Sequence, residues 1–124
     1  MEHEVLTLLD ALEEIGRHGY FDHAWDWFDI EVEDWEDYES VLHNDIPEAI
    51  KDIITSANAS VYNIYHIKDE IGLPEYIVLL EWGGEDYTLE LDITGEDGAY
   101  TLFIVGGMKG WAEIPPYYHP IYPL

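Results

Sequence analysis

Cysteine is missing from this chain altogether, which excludes a disulfide framework and any cysteine-based zinc site. Cations are almost as scarce: four Lys and Arg stand against 28 Asp and Glu, a formal net charge of −24. A field of that sign repels DNA, RNA, anionic lipid, nucleotides and phosphorylated substrates, so direct nucleic-acid or membrane-surface binding is excluded as a working hypothesis. No apolar run approaches the roughly 18 residues of a membrane span. The opening MEHEVLTLLDALEE is acidic and amphipathic, unlike the basic start and continuous apolar stretch of a signal peptide. The expectation is a soluble cytoplasmic protein.

What the chain does have is apolar and aromatic substance. Hydrophobic residues make up 48% of its 124 residues and aromatic residues 15%, enough to bury a core and unlike an acidic disordered tail, which is poor in aromatic rings. The length fits one domain, residues 1–124. Its charge therefore belongs to the surface of a folded protein, and the partner it favours is basic. The commonest strongly basic surfaces are those that hold nucleic acid.

Periodicity divides the chain into a mainly helical part (1–60), an antiparallel sheet (61–105) and an extended tail rich in Pro and Tyr (106–124). Val5, Leu8, Leu9, Leu12 and Ile15 recur at three- and four-residue steps and predict an amphipathic helix stopped by Gly16 and Gly19. A second helical piece is expected over Asp22–Asp29, burying Ala24, Trp25 and Phe28, and a third from about Asp34 to His43. Pro47 at a first turn, Glu48 at the positive helix end and the stripe Ile46, Ile50, Ile53, Ile54 and Ala57 mark the clearest helix.

From Val61 the period changes to two. Strands are expected over Val61–Ile67, Tyr76–Trp82, Tyr87–Ile93 and Ala99–Val105, with turns at Gly83–Asp86 and Thr94–Gly98. Within the third, Tyr87, Leu89, Leu91 and Ile93 alternate with Thr88, Glu90 and Asp92, the pattern of a sheet with one wet face. The predicted class is α+β, with N-terminal helices packed on a C-terminal antiparallel meander of about four strands. The tail IPPYYHPIYPL, with its four prolines, is expected to lie extended over the surface.

One stretch stands apart. Residues 22–39, DHAWDWFDIEVEDWEDYE, hold nine carboxylates and no Lys or Arg. Asp22, Asp26 and Asp29 have helical spacing, and Glu31, Glu33, Asp34, Glu36, Asp37 and Glu39 continue the series. Like-charge neighbours on an exposed helix each cost a few tenths of a kcal/mol, on the order of 0.2–0.5, so a partner explains the cluster better than stability does. Duplex DNA carries one charge per roughly 1.7 Å of axis, and a ridge of carboxylates imitates part of that track. Trp25, Phe28, Trp35 and Tyr38 fall on core positions, whereas Trp27 lies off that stripe, as an interface anchor would. The competing reading is a solvated acidic face, as in proteins of a salt-rich cytoplasm. Whether Glu90 and Asp92 join the same surface stays open.

Catalytic signals are thin, and no enzyme, cofactor or metal is expected. Carboxylates are abundant, but a general acid needs one in a partly dry pocket, and a carbohydrate site beside Trp needs a cleft. His18, Asp22, His23 and Asp26 have spacings compatible with a metal site but lack the HExxH pattern, and DITGEDGAY departs from a calcium loop in its Gly spacing and terminal residue. Pro115-Pro116-Tyr117-Tyr118 fits a PPxY recognition form, against which stands a tail packed on the sheet.

The whole-chain profile, and the run from Asp22 to Glu39 above all, resembles the DNA-mimic inhibitors of phages and mobile elements, the anti-CRISPR and anti-restriction proteins. That resemblance implies a small non-catalytic inhibitor that fills the nucleic-acid channel of a host defence nuclease or CRISPR effector. The chain is similar on the same grounds to bacterial immunity proteins, which imply a cognate basic nuclease toxin as partner. Both stand beside a haloadapted domain with no inhibitory role.

Overall fold

The computed structural model describes residues 8–21, 27–31, 46–67, 73–96 and 99–122. Within them the chain is α+β, with two helices and a larger antiparallel sheet: α1 (Leu8–His18), β1 (Tyr20–Phe21), β2 (Trp27–Glu31), α2 (Ile46–Ser56), β3 (Ser60–His66), β4 (Tyr76–Trp82), β5 (Glu85–Glu96), β6 (Ala99–Lys109) and β7 (His119–Tyr122). Five strands, β2 to β6, have five residues or more, not the four or so expected, because Trp27–Glu31 adds a strand beside β6; β1 and β7 are short edge segments. The order across the sheet is β1-β6-β5-β4-β3-β7, and β2 pairs β6 as well.

The expected meander is its centre. Strand β4 is apolar from Tyr76 to Leu80 because that stretch is covered on both sides: Tyr76, Val78 and Leu80 face one layer, Ile77 and Leu79 the other. Gly83 and Gly84, both with positive φ (61° and 82°), close β4 onto β5 in two residues, so β5 begins at Glu85 and not after Asp86. At the far end Glu96 pairs with Ala99.

Both helices lie on one face. Leu12 and Ile15 of α1 and Ile46, Ile50 and Ile54 of α2 bury against Ile64, Tyr76, Val78, Leu80, Leu89 and Ile104 in the main core. Helix α1 runs through Gly16 and ends at Gly19, whose φ of 88° lets its N–H donate back to the Ile15 carbonyl at 2.6 Å. Helix α2 ends in a Schellman turn, with Asn58 at φ 63° and the Ala59 N–H donating to the Ile54 carbonyl.

Three expectations are corrected. Trp27–Glu31 is a strand, not the end of a helix over Asp22–Asp29; it pairs residue by residue with β6 from Phe103 to Ala99. Gly106-Gly107 does not end the sheet, because β6 continues to Lys109: a Cβ on Gly107 would stand 2.6 Å from Ile15 Cδ1, so the missing side chain is what lets α1 settle on β6. The tail is only partly a surface strap, since His119–Tyr122 pairs with β3 as an edge strand, where Pro120 is tolerated. The helix expected over Asp34–His43 lies outside the described residues.

Candidate acidic interface

Of the ten residues singled out for partner binding, Trp27, Asp29 and Glu31 sit on β2. Asp22, Asp26, Glu33, Asp34, Glu36, Asp37 and Glu39 lie outside the described residues. The helical spacing argued for Asp29 is replaced by strand alternation, which puts Trp27, Asp29 and Glu31 on one face of the sheet. The signal was present in the sequence: FDIEVE alternates apolar and acidic residues.

Register then decides which face that is. Trp27 pairs with Phe103, which pairs with Asp92; Asp29 pairs with Thr101 and so aligns with Thr94; Glu31 pairs with Ala99, which pairs with Glu96. Directly opposed residues in an antiparallel ladder share a face. Asp29 and Glu31 of β2 therefore occupy the same face as Glu90, Asp92 and Glu96 of β5, the face opposite α1 and α2. A bulge in β6 between Ile104 and Gly106 lies across from Glu90 and Leu91.

Part of this second face is roofed. Trp111 to Tyr118 crosses it as a strap, and Tyr118 and Ile114 pack with Ile67, Ile77, Leu79 and Tyr65 in a satellite cluster. The Tyr118 hydroxyl donates to the Pro74 carbonyl at 2.6 Å; burial, helped by the nearby Glu90 charge, pushes its pKa up to about 12. Thr88 Oγ1 holds the strap's start, donating to the Gly110 carbonyl and accepting from the Ala112 N–H. The buried Tyr118 beside the exposed Tyr117 matches the packed-tail reading of Pro115–Tyr118.

Between strap and sheet lies a cavity of about 220 Å³, bordered by Ile77, Thr88, Glu90, Met108, Pro115 and Tyr118. Glu90 is half-buried there; burial first, then the neighbouring Asp92 charge, raises its pKa above the ordinary carboxylate value. Asp92 accepts a hydrogen bond from the Glu75 N–H at 2.9 Å. At the sheet end, Trp111 and Tyr62 meet edge to face at 4.9 Å and are each more than 40% exposed. Sequence reasoning passed over this aromatic pair because its two members are 49 positions apart and meet only through the fold.

Negative charge is not confined to this face. Glu13 on α1 and Glu48 and Asp52 on α2 are exposed on the helix layer, where amphipathic helices need a solvated side. Among the described residues Lys109 pairs with Glu85 at 2.9 Å, depressing the Glu85 pKa, and Lys51 lies 5.4 Å from the Tyr122 ring centroid. Among the described residues no three His, Asp or Glu side chains gather as a metal site, and the buried His66 instead stacks near Tyr76 with Nε2 3.6 Å from Glu75. Among the described residues, no helix is long and apolar enough to cross a membrane. No protein-family model, curated protein or solved structure matches the chain.

Proposed function

We propose that the protein is a stoichiometric, non-catalytic inhibitor whose sheet face mimics a nucleic-acid backbone and blocks the basic channel of a host defence nuclease, of the anti-CRISPR or anti-restriction kind. One observation carries the reading: the β2–β6–β5 register gathers Asp29, Glu31, Asp92 and Glu96 on a single face. By register Asp92, Asp29 and the level pair Glu31 and Glu96 occupy three successive levels two residues apart on β5 and β2. The face therefore offers an acidic position every ~6.8 Å along the strands, the spacing of every second phosphate of a single DNA strand. Around them the net charge of −24 adds long-range attraction for a cationic groove, which speeds encounter and weakens with salt.

The test is competition. Purified protein is mixed with RNA-guided and restriction nucleases, and DNA binding is measured against a triple variant Asp29→Lys, Glu31→Lys, Asp92→Lys that still melts cooperatively. The wild type displaces DNA at near-equimolar ratio, and the variant is weaker by about 100-fold or more, in line with roughly 1–3 kcal/mol per lost charge contact. Equal potency of the two proteins removes the reading. Inhibition restricted to one secreted nuclease toxin would move the same face to the immunity-protein class.

A further inference from the structure

We propose that the cavity beneath the strap is a receptor slot for an arginine side chain of the basic partner. Its walls are apolar, with Ile77, Met108, Pro115 and Tyr118 suited to an aliphatic stem, and its carboxylates, Glu90 and Glu113, suit a cationic head. Among the described residues Glu90 has no hydrogen-bond or ion-pair partner, so its half-buried carboxylate is an acceptor with capacity to spare. Burying a charge without a partner costs stability, and a cation entering the slot removes that cost.

Chemistry selects arginine, and the 220 Å³ space, open to solvent on one side, has room for a long side chain. A guanidinium is more weakly hydrated than an ammonium, stacks on aromatic rings such as Tyr118 and grips a carboxylate with two parallel bonds. The slot opens on the same face as Asp29, Glu31, Asp92 and Glu96, so an arginine seated in it would fix the register of an otherwise unspecific charge match. This inference rests on the partner being basic, as the inhibitor reading requires, but its test needs no nuclease.

The intact protein is titrated with n-butylguanidinium while NMR follows the Met108 methyl and the Glu90 carboxyl. Saturable shifts at both are expected, with n-butylammonium weaker and neutral n-butanol weaker still. Glu90→Gln weakens guanidinium binding at least tenfold, whereas Glu48→Gln on the opposite layer leaves it within twofold. In the wild type, saturation moves the Glu90 titration midpoint to lower pH, a readout that needs no variant. Equal affinity in wild type and Glu90→Gln, an unmoved midpoint, or butanol binding as tightly as the guanidinium would each overturn the slot. Probe binding without nuclease inhibition keeps the slot and removes the inhibitor; inhibition without probe binding does the reverse.

Discussion

On one face of the sheet, Ile64, Val78 and Leu80 are fully buried beneath two helices; on the other, Ile77 and Leu79 keep 6–7% exposure under a single strand of Pro-rich chain. The first face is a helix-on-sheet core with side chains interlocked from both layers, and close packing is what gives a domain its stability. The second is covered over one part only, with a cavity left between strap and sheet beside Glu90. A face already filled with Ile and Leu has no room for a partner, whereas a thinly roofed one has both charge and space.

The sharpest way to break this comparison is to cut the same methylenes from each side of β4. Leu80→Ala, on the helix-covered face, should cost about 2–5 kcal/mol through lost burial and the cavity left behind. That corresponds to a fall in Tm of roughly 8–20 °C for a chain of this size. Leu79→Ala, under the strap, should sit at or below the low end of that range because its surroundings can relax. Thermal melts of the two variants decide it, and equal losses would mean that the strap packs as firmly as the helices.

A smaller effect concerns the strap's anchor. Tyr118→Phe removes the hydrogen bond to Pro74 at a cost of about 1 kcal/mol. The wild type carries a pH signature with it. The folded-state pKa of Tyr118 is raised to about 12, so its contribution is complete below the ordinary tyrosine value near pH 10 and is lost as pH rises toward 12. Stability measured across pH 9–12 should therefore fall more steeply in the wild type than in Tyr118→Phe. Parallel profiles would detach the titration from the strap.

The smallest effect has the opposite sign. Glu90 has a raised pKa in the fold, so its protonated form is favoured; its contribution is full at acid pH and lost as pH rises through the folded value. At neutral pH its ionised carboxylate opposes folding, and Glu90→Gln should raise Tm by a degree or two. A lower Tm in that variant would show the charge to be already satisfied.

Much of this architecture was legible in residue spacing. The stripes Leu12–Ile15 and Ile46–Ile50–Ile54 announced two helices, YIVLLEW announced a strand, and Tyr87 to Ile93 announced one with a wet side. The acidic stretch was read with the wrong period. Trp25 and Phe28 suggested three-residue steps, while the competing two-residue alternation of FDIEVE became decisive only because the outer edge of β6 offered Trp27–Glu31 a ladder. Edge strand β7 was hidden by Pro120, a residue that argues against strand wherever neighbours on both sides are assumed.

The sequence by itself determined the sign and size of the field, the apolar stripes and the wet face of β5, because composition and local periodicity are properties of the chain alone. It could not say that Asp29 and Glu31 would join Glu90, Asp92 and Glu96, or that Tyr118 would close a cavity over Glu90. Those neighbours are separated by some 30 to 70 positions and are brought together only by pairing register and by the strap's return across the sheet. Hydrogen-bond ladders between distant segments set that geometry, and no local pattern encodes which segments will meet.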